Sequence, residues 1–472
     1  MKIKIIITNL FILLTLSLSA QSFKLVGVRG INAAEGWDKS VANSVHFDQA
    51  GRLYLHFTTF DTIAYKVNLI RHDFTNNQWS RVLAQDIVFA QKVEESDAIG
   101  LNDGTSIAVT QQYNSSIGKY FNSMYRISPD GTHNFLGPNP ITATLYDFYQ
   151  GYPAMALAPN GNIYLFEYAS SISLSSVHRF TKWNGIQWAD LPGLPLADMP
   201  RNVSIAINSQ GRVYASYYIR GQNKTKVVRL NANETSWEEL FITEQADRHE
   251  QNPKVHVTFD DEVYLTSYTL AGDFTTGFFG LSHIFKQTAN GWVELGNGMR
   301  VGPGQSFLKT QSGELYLTGS DVVTIYKYNP STNTWVPLQN DIQDGQRVSG
   351  YRPQLIEGSD GKIYNIFSNG IYLEMTVVQY KPETLSVNDI GTDESDISIY
   401  PNPFKNSFNI KLGKALNDGK HTYELLDASG RLIKKDKLSE NISANHLEQG
   451  VYIFTIKDRN GKMVATKKII KN

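Results

Sequence analysis

Cysteine is absent from all 472 residues. That excludes disulfides, thiolate metal sites and cysteine nucleophiles, so stability must come from packing. Long hydrophobic runs are scarce as well: one apolar stretch, Ile5 to Leu18, follows Lys2 and Lys4 and stops at Ser19 and Ala20. At about 14 residues it is too short for the ~20 that cross a bilayer, and it reads as a signal peptide over 1–20 with a mature chain starting near Gln21 and no membrane span. No Gly-rich phosphate loop, His-Glu-x-x-His or Gly-x-Ser-x-Gly pattern occurs, and the ten histidines are scattered singly. The sequence therefore calls for no metal and no cofactor.

Excess charge of either sign is missing overall, with a net of −1, but its distribution is uneven. Residues 397–472 hold 14 Lys and Arg against 7 Asp and Glu, a surplus of +7; with the +2 of the signal peptide set aside, the body carries −10. An acidic body excludes general nucleic-acid binding, which needs a basic surface.

What is present is a repeat. A turn followed by a β-rich run recurs at Gly51-Arg52-Leu53-Tyr54, Gly104-Thr105-Ser106-Ile107, Gly161-Asn162-Ile163-Tyr164, Gly211-Arg212-Val213-Tyr214, Asp261-Glu262-Val263-Tyr264, Gly313-Glu314-Leu315-Tyr316 and Gly361-Lys362-Ile363-Tyr364, at intervals of 48 to 57 residues. The fourth unit is the clearest, with strands predicted at Val203–Ile207, Val213–Ile219, Val227–Leu230 and Trp237–Phe241. A tryptophan opens the last strand in most units (Trp79, Trp188, Trp237, Trp292, Trp335), with Phe135 in its place in the second. These rings could form a sugar-stacking platform, but recurrence at one strand position favours packing between units. A four-stranded meander at this period is the mark of a β-propeller blade. The last unit lacks its fourth strand, and Phe23-Lys24-Leu25-Val26-Gly27 lies where it can supply one, closing a ring of seven blades; six to eight remain compatible with the spacing.

The repeat resembles secreted kelch-like and BNR-type propellers over Phe23 to Leu385. Tyr328-Asn329-Pro330-Ser331-Thr332-Asn333-Thr334-Trp335 is kelch-like, although the double glycine of kelch blades and a full Asp box are both missing. The expected fold is all-β: a seven-bladed propeller of four-stranded antiparallel blades over 21–385, a polar linker over 386–396, and a small Ig-like β-sandwich over 397–472.

The C-terminal segment opens Tyr400-Pro401-Asn402-Pro403-Phe404, continues through Leu425-Leu426-Asp427-Ala428-Ser429-Gly430-Arg431, and then reads Leu447-Glu448-Gln449-Gly450-Val451-Tyr452. In combination these resemble the type A sorting domain of the type IX secretion system of Bacteroidetes-type bacteria. The resemblance implies Sec export to the periplasm, recognition by the type IX machinery, and release or attachment at the cell surface. Whether the domain is cleaved or anchors the protein is left open.

In a propeller the residues just before each innermost strand converge on one face near the axis. Tyr152-Pro153, Asn252-Pro253 and Arg352-Pro353 share one offset, and proline holds the residue before it extended. Around them lie Arg201, Arg248, His249, Arg300, Arg347 and Tyr351. The guanidinium forks suit carboxylate or sulfate, and Tyr or His faces can stack on sugars, so these residues read as a site for an anionic glycan or acidic peptide. The competing reading pairs the arginines with Glu250, Asp198, Asp247 and Asp344. The sequence thus points to an exported, non-catalytic binder of glycan or protein. The alternative is a secreted polysaccharide lyase or glycoside hydrolase acting on an anionic polysaccharide, with His249 or Tyr351 as base and Arg248 or Arg352 neutralising the substrate carboxylate.

Overall fold

The computed structural model describes residues 23–380 except 29–30, 32–39, 61–64, 86, 90–91, 115–118, 138–152, 171–175, 196–197, 199, 220–221, 244–248, 272–278, 303, 320–323, 339–349 and 370–374, and residues 397–471 except 413–420, 428–430 and 460–462. Contacts divide the chain into two compact units, Met1–Pro382 and Glu383–Asn472. The signal peptide and the linker assigned from the sequence lie outside the described residues, and no described helix is long and apolar enough to cross a membrane.

Among the described residues, the first unit holds seven antiparallel sheets, each built on a four-strand meander. Blade four runs Pro200–Ile207, Val213–Ile219, Lys224–Leu230 and Trp237–Ile242, each strand paired to the next. Blade one adds a short strand, Ile87–Phe89, that pairs with its third strand, Tyr65–Asp73. Blade seven takes Gly350–Glu357, Ile363–Asn369 and Met375–Tyr380 from one end of the ring and Phe23–Leu25 from the other. Phe23 pairs with Tyr380, Lys24 with Gln379 and Leu25 with Val378, and Val26 N donates to Val377 O at 3.0 Å. The N-terminal strand thus closes the ring as its spacing predicted, which covers an edge that would otherwise invite pairing with another chain.

Two devices recur around the ring, and the first joins neighbouring blades. The outer-strand indoles reach back to the preceding blade: Trp79 Nε1 donates to Val26 O at 3.3 Å, Trp237 Nε1 to Pro192 O at 2.8 Å and Trp335 Nε1 to Leu295 O at 2.8 Å. Trp292 stacks on Phe241 of blade four, with ring centroids 5.0 Å apart. The tryptophans are therefore packing residues. Phe135 does lie on the fourth strand of blade two, but it is 41% exposed and meets Tyr125 of its own blade, so it does not fill the same inter-blade place.

The second device starts from the tyrosine that follows each turn. Tyr164, Tyr264 and Tyr316 are buried in second strands, and the residue paired with each on the third strand is a lysine: Lys182, Lys286 and Lys327. Each ammonium lies 5.6 to 5.9 Å from the tyrosine ring centroid. A carboxylate then takes both the phenol and the ammonium, Glu234 for Tyr164 and Lys182, Glu262 for Tyr264 and Lys286, and Glu314 for Tyr316 and Lys327. The buried hydroxyl keeps a partner, as a desolvated polar group must.

The second unit is a sandwich of two sheets. One orders Ile397–Tyr400, Ser407–Leu412 and Asn441–Ser443; the other orders Leu432–Lys437, Thr422–Asp427, Gly450–Lys457 and Met463–Lys471. Phe404, Phe408, Tyr423, Leu425, Phe454 and Ile469 fill the space between them. Tyr400-Pro401 and Asn402-Pro403 are both cis, and Asn402 Oδ1 accepts from Ile470 N at 2.8 Å, which ties the Pro-Asn-Pro segment to the last strand. Tyr400 is exposed, Tyr452 donates its hydroxyl to Glu448 O at 2.8 Å beside Gly450, and Gly430 falls outside the described residues.

Candidate functional site

Every innermost strand has two ends, and they differ chemically. At the starting end, where the sequence places the arginine cluster, the pairing to the second strand is interrupted at one recurring point. The register shifts between Ala42 and Ser44, Val93 and Glu95, Arg201 and Ser204, Gln251 and Lys254, and Tyr351 and Gln354. Asn252 and Arg352 sit within these bulges, and Asn202, at φ +50°, sits within that of blade four. A bulge bends its strand and re-aims the residues it contains.

Of the residues nominated from sequence, His249 and Tyr351 also lie on inner strands, though their side chains, like those of Asn252 and Arg352, are outside the described set. Tyr152, Arg248 and Arg347 are outside it altogether. Arg300 is exposed just before the inner strand of blade six. Arg201 is half-buried near the start of the blade-four inner strand, opposite Tyr218, and has no ion pair among the described residues. Asp198, one of its possible partners, is taken instead by Lys226 Nζ at 2.8 Å and by the Tyr217 hydroxyl at 2.7 Å.

The other end carries a cavity of about 820 Å³. It is walled by the last residues of the inner strands of blades five, six and seven and by the turns that follow them, with Ala206 of blade four at its margin. A neighbouring hollow of about 460 Å³ shares Val257, Thr258 and Phe259 with it and extends toward blades three and four. The turns are held by their own side chains. Thr258 Oγ1 accepts from Glu262 N at 3.1 Å and Thr310 Oγ1 from Glu314 N at 3.0 Å, while Asn208 Oδ1 accepts from Gln210 N and Arg212 N. Such side-chain capping is why Asn, Asp, Ser and Thr occupy these positions.

Bonds between turns then link the blades around this mouth. Ser209 N and Oγ both donate to Asp261, Gln311 N donates to Glu357 Oε2 at 2.7 Å, and Lys309 Nζ donates to Asp260 at 2.5 Å and Glu262 at 2.6 Å. Burial alone would raise the Glu262 carboxyl, but the hydrogen bonds from Lys286, Lys309 and Tyr264 outweigh it and hold the group down at about 2. Deeper in the wall, His256 packs against Phe307 with centroids 5.3 Å apart and shares a 3.1 Å hydrogen bond with Thr266. Burial, reinforced by Lys254, pushes its imidazole down to about 3, so it is neutral.

Nothing in the sequence reading pointed to this mouth. Phe259, Lys309 and Glu357 come from three blades, and only the turn composition, polar with one aromatic, could have signalled it.

The fold is that of a seven-bladed β-propeller joined to a small β-sandwich. Residues 398–472 match the family described as the secretion system C-terminal sorting domain. The sandwich is thus the part that engages the type IX secretion machinery, and the protein is exported by that route to the cell surface or beyond. A search of curated protein sequences finds no match. Solved structures similar to the chain include virginiamycin B lyase from Staphylococcus aureus with quinupristin, at 14% identity and a TM-score of 0.45 over 76% of this chain and 100% of that one. The GH93 α-L-arabinofuranosidase of Fusarium graminearum with arabinobiose is similar at 9% identity and 0.46, over 76% and 98%. Polysaccharide lyase Uly1 is similar at 11% and 0.47, over 72% and 89%. All three are distant, and the fold assignment rests on the strand pairing described above.

Proposed function

We propose that the propeller is a binding module delivered outside the cell, and that it takes a glycan or protein bearing anionic groups at the face where the inner strands begin. One observation carries this reading: Arg201 stands half-buried beside a bulge without an ion pair among the described residues, while Asp198 is committed to Lys226 and Tyr217. A guanidinium left without a carboxylate is available to one on a ligand. The recurring bulge supports placing Asn252 and Arg352 at the same level in blades five and seven, with Arg248, His249, Arg300, Arg347, Tyr351 and Tyr152 grouped around them.

The test is an array of sulfated, uronate-containing and neutral glycans, together with acidic peptides, probed with the mature chain and with Arg201→Ala and Arg352→Ala. Binding of an anionic probe that falls at least tenfold in each variant is the expected result. Equal binding by wild type and both variants removes this face from consideration. The same samples assayed for unsaturated uronide or reducing-end release address the enzyme alternative, and turnover lost in Arg352→Ala would replace binding with lyase or hydrolase action.

A further inference from the structure

The cavity at the opposite mouth has a different chemical character, and we infer that it is a separate binding site for an uncharged oligosaccharide, centred on Phe259. This inference concerns another face and another ligand class, so it stands or falls independently of the arginine face.

The volume of about 820 Å³ lies in the range of pockets that hold small ligands. Phe259 borders both hollows and is 52% exposed, an apolar ring presented at the mouth and not tucked between blades. A saccharide offers such a ring the apolar face formed by its C–H groups, while its hydroxyls need acceptors around the rim. Glu357 and Asp261 supply them. Each carboxylate accepts from a neighbouring turn, Glu357 from Gln311 N and Asp261 from Ser209, and a carboxylate has lone pairs for more than these.

The charges at the mouth select against an anion, and the aromatic ring is closed to a cation. Lys309 is neutralised by Asp260 and Glu262, and His256 is neutral, so neither of the basic residues described in the lining is left over for an anionic sugar, which Glu357 and Asp261 would repel. A cationic ligand fares no better at the aromatic ring. The Lys309 ammonium already lies 5.7 Å from the Phe259 centroid, in the place a ligand cation would seek. A neutral polyol meets neither obstacle.

Isothermal titration of the mature chain with neutral cello-, xylo-, manno- and arabino-oligosaccharides, with oligogalacturonate and hexalysine as charged comparators, tests this. At least one neutral oligosaccharide is expected to bind saturably, with Phe259→Ala weakening it tenfold or more, Glu357→Gln weakening it several-fold, and Arg201→Ala leaving it unchanged. Thermal melts of each variant check that the ring is intact, and Glu357→Gln stands in if Phe259→Ala melts early. Failure of every neutral probe overturns the inference. So does binding indifferent to both substitutions, or preference for either charged comparator.

Discussion

Asn122, on the third strand of blade two, donates its Nδ2 to Glu167 Oε1 on the second strand of blade three at 2.6 Å, and both side chains are buried. The remaining oxygens, Asn122 Oδ1 and Glu167 Oε2, are buried without a partner. A proton on Glu167 Oε2 would remove the charge from this buried junction and make that oxygen a donor. Burial pushes the Glu167 carboxyl up to about 7, against the hydrogen bond from Asn122 and the charge of Arg179 on the adjoining strand; Asp190 adds to the rise.

Between pH 4.5 and 7 the unfolded chain loses this proton while the folded chain keeps it. Stability is therefore expected to fall as pH rises through that window, by up to about 3 kcal/mol, and to level off above it. Glu167→Gln keeps the shape, still accepts from Asn122 Nδ2 and carries no titrating proton. Urea melts across pH 4 to 8 should show a flatter profile for the variant, with higher stability than wild type at pH 8. An unchanged slope would show that Glu167 is not held protonated.

The closing strand supplies the second expectation. Removing residues 21–27 bares the edge of Met375–Tyr380 and the groups that Phe23–Leu25 and Val26 pair with. A loss of about 3 kcal/mol or more, with concentration-dependent association in size-exclusion chromatography, is expected. A monomer melting like wild type would mean that the ring does not depend on this strand.

Two glycines separate backbone strain from inter-blade contact. Gly296 at φ +75° faces Trp335 of the next blade so closely that an added Cβ would lie 2.8 Å from the indole, whereas Gly211 at φ +78° has nothing within 4 Å. Gly211→Ala should cost about 1 kcal/mol from backbone strain alone, and Gly296→Ala about 2 kcal/mol more. Equal costs would deny the tryptophan its role as a spacer between blades.

In the sorting domain, Phe404 is fully buried 4.9 Å from Phe408 and follows the cis Pro-Asn-Pro segment. Phe404→Ala should destabilise the sandwich by about 3 kcal/mol. In a cell with the secretion system, less protein should reach the outside and more should remain in the periplasm. Full export of this variant would separate recognition from the folded state of the domain.

The wheel could be read from the sequence because its devices repeat at fixed spacing. Asn160-Gly161 and Asp360-Gly361 mark turns, the tryptophans mark outer strands, and Phe23 to Val26 is the piece that completes the last blade. Blade two was harder, since Ile107 replaces the tyrosine and Phe135 the tryptophan. In the sandwich, the strands Ile397–Tyr400 and Asn441–Ser443 are too short for their alternation to stand out. The lysines paired with Tyr164, Tyr264 and Tyr316 were missed because each lies on a neighbouring strand, and only the register sets ring under ammonium. The Phe259 mouth was illegible for a similar reason. Its walls come from separate blades, and their distance apart in the chain says nothing about closeness until the circle closes.

The indole bonds all point one way, each from a blade to the carbonyl of its predecessor. For Trp79 that carbonyl is Val26 O, directly after the N-terminal strand that completes blade seven. One short stretch therefore serves as a keystone for two neighbours, mending the last blade and anchoring the first. Pulling it out would be sensed on both flanks of the seam, and the loosening would show as altered emission from Trp79, a reporter the protein already carries beside its own joint.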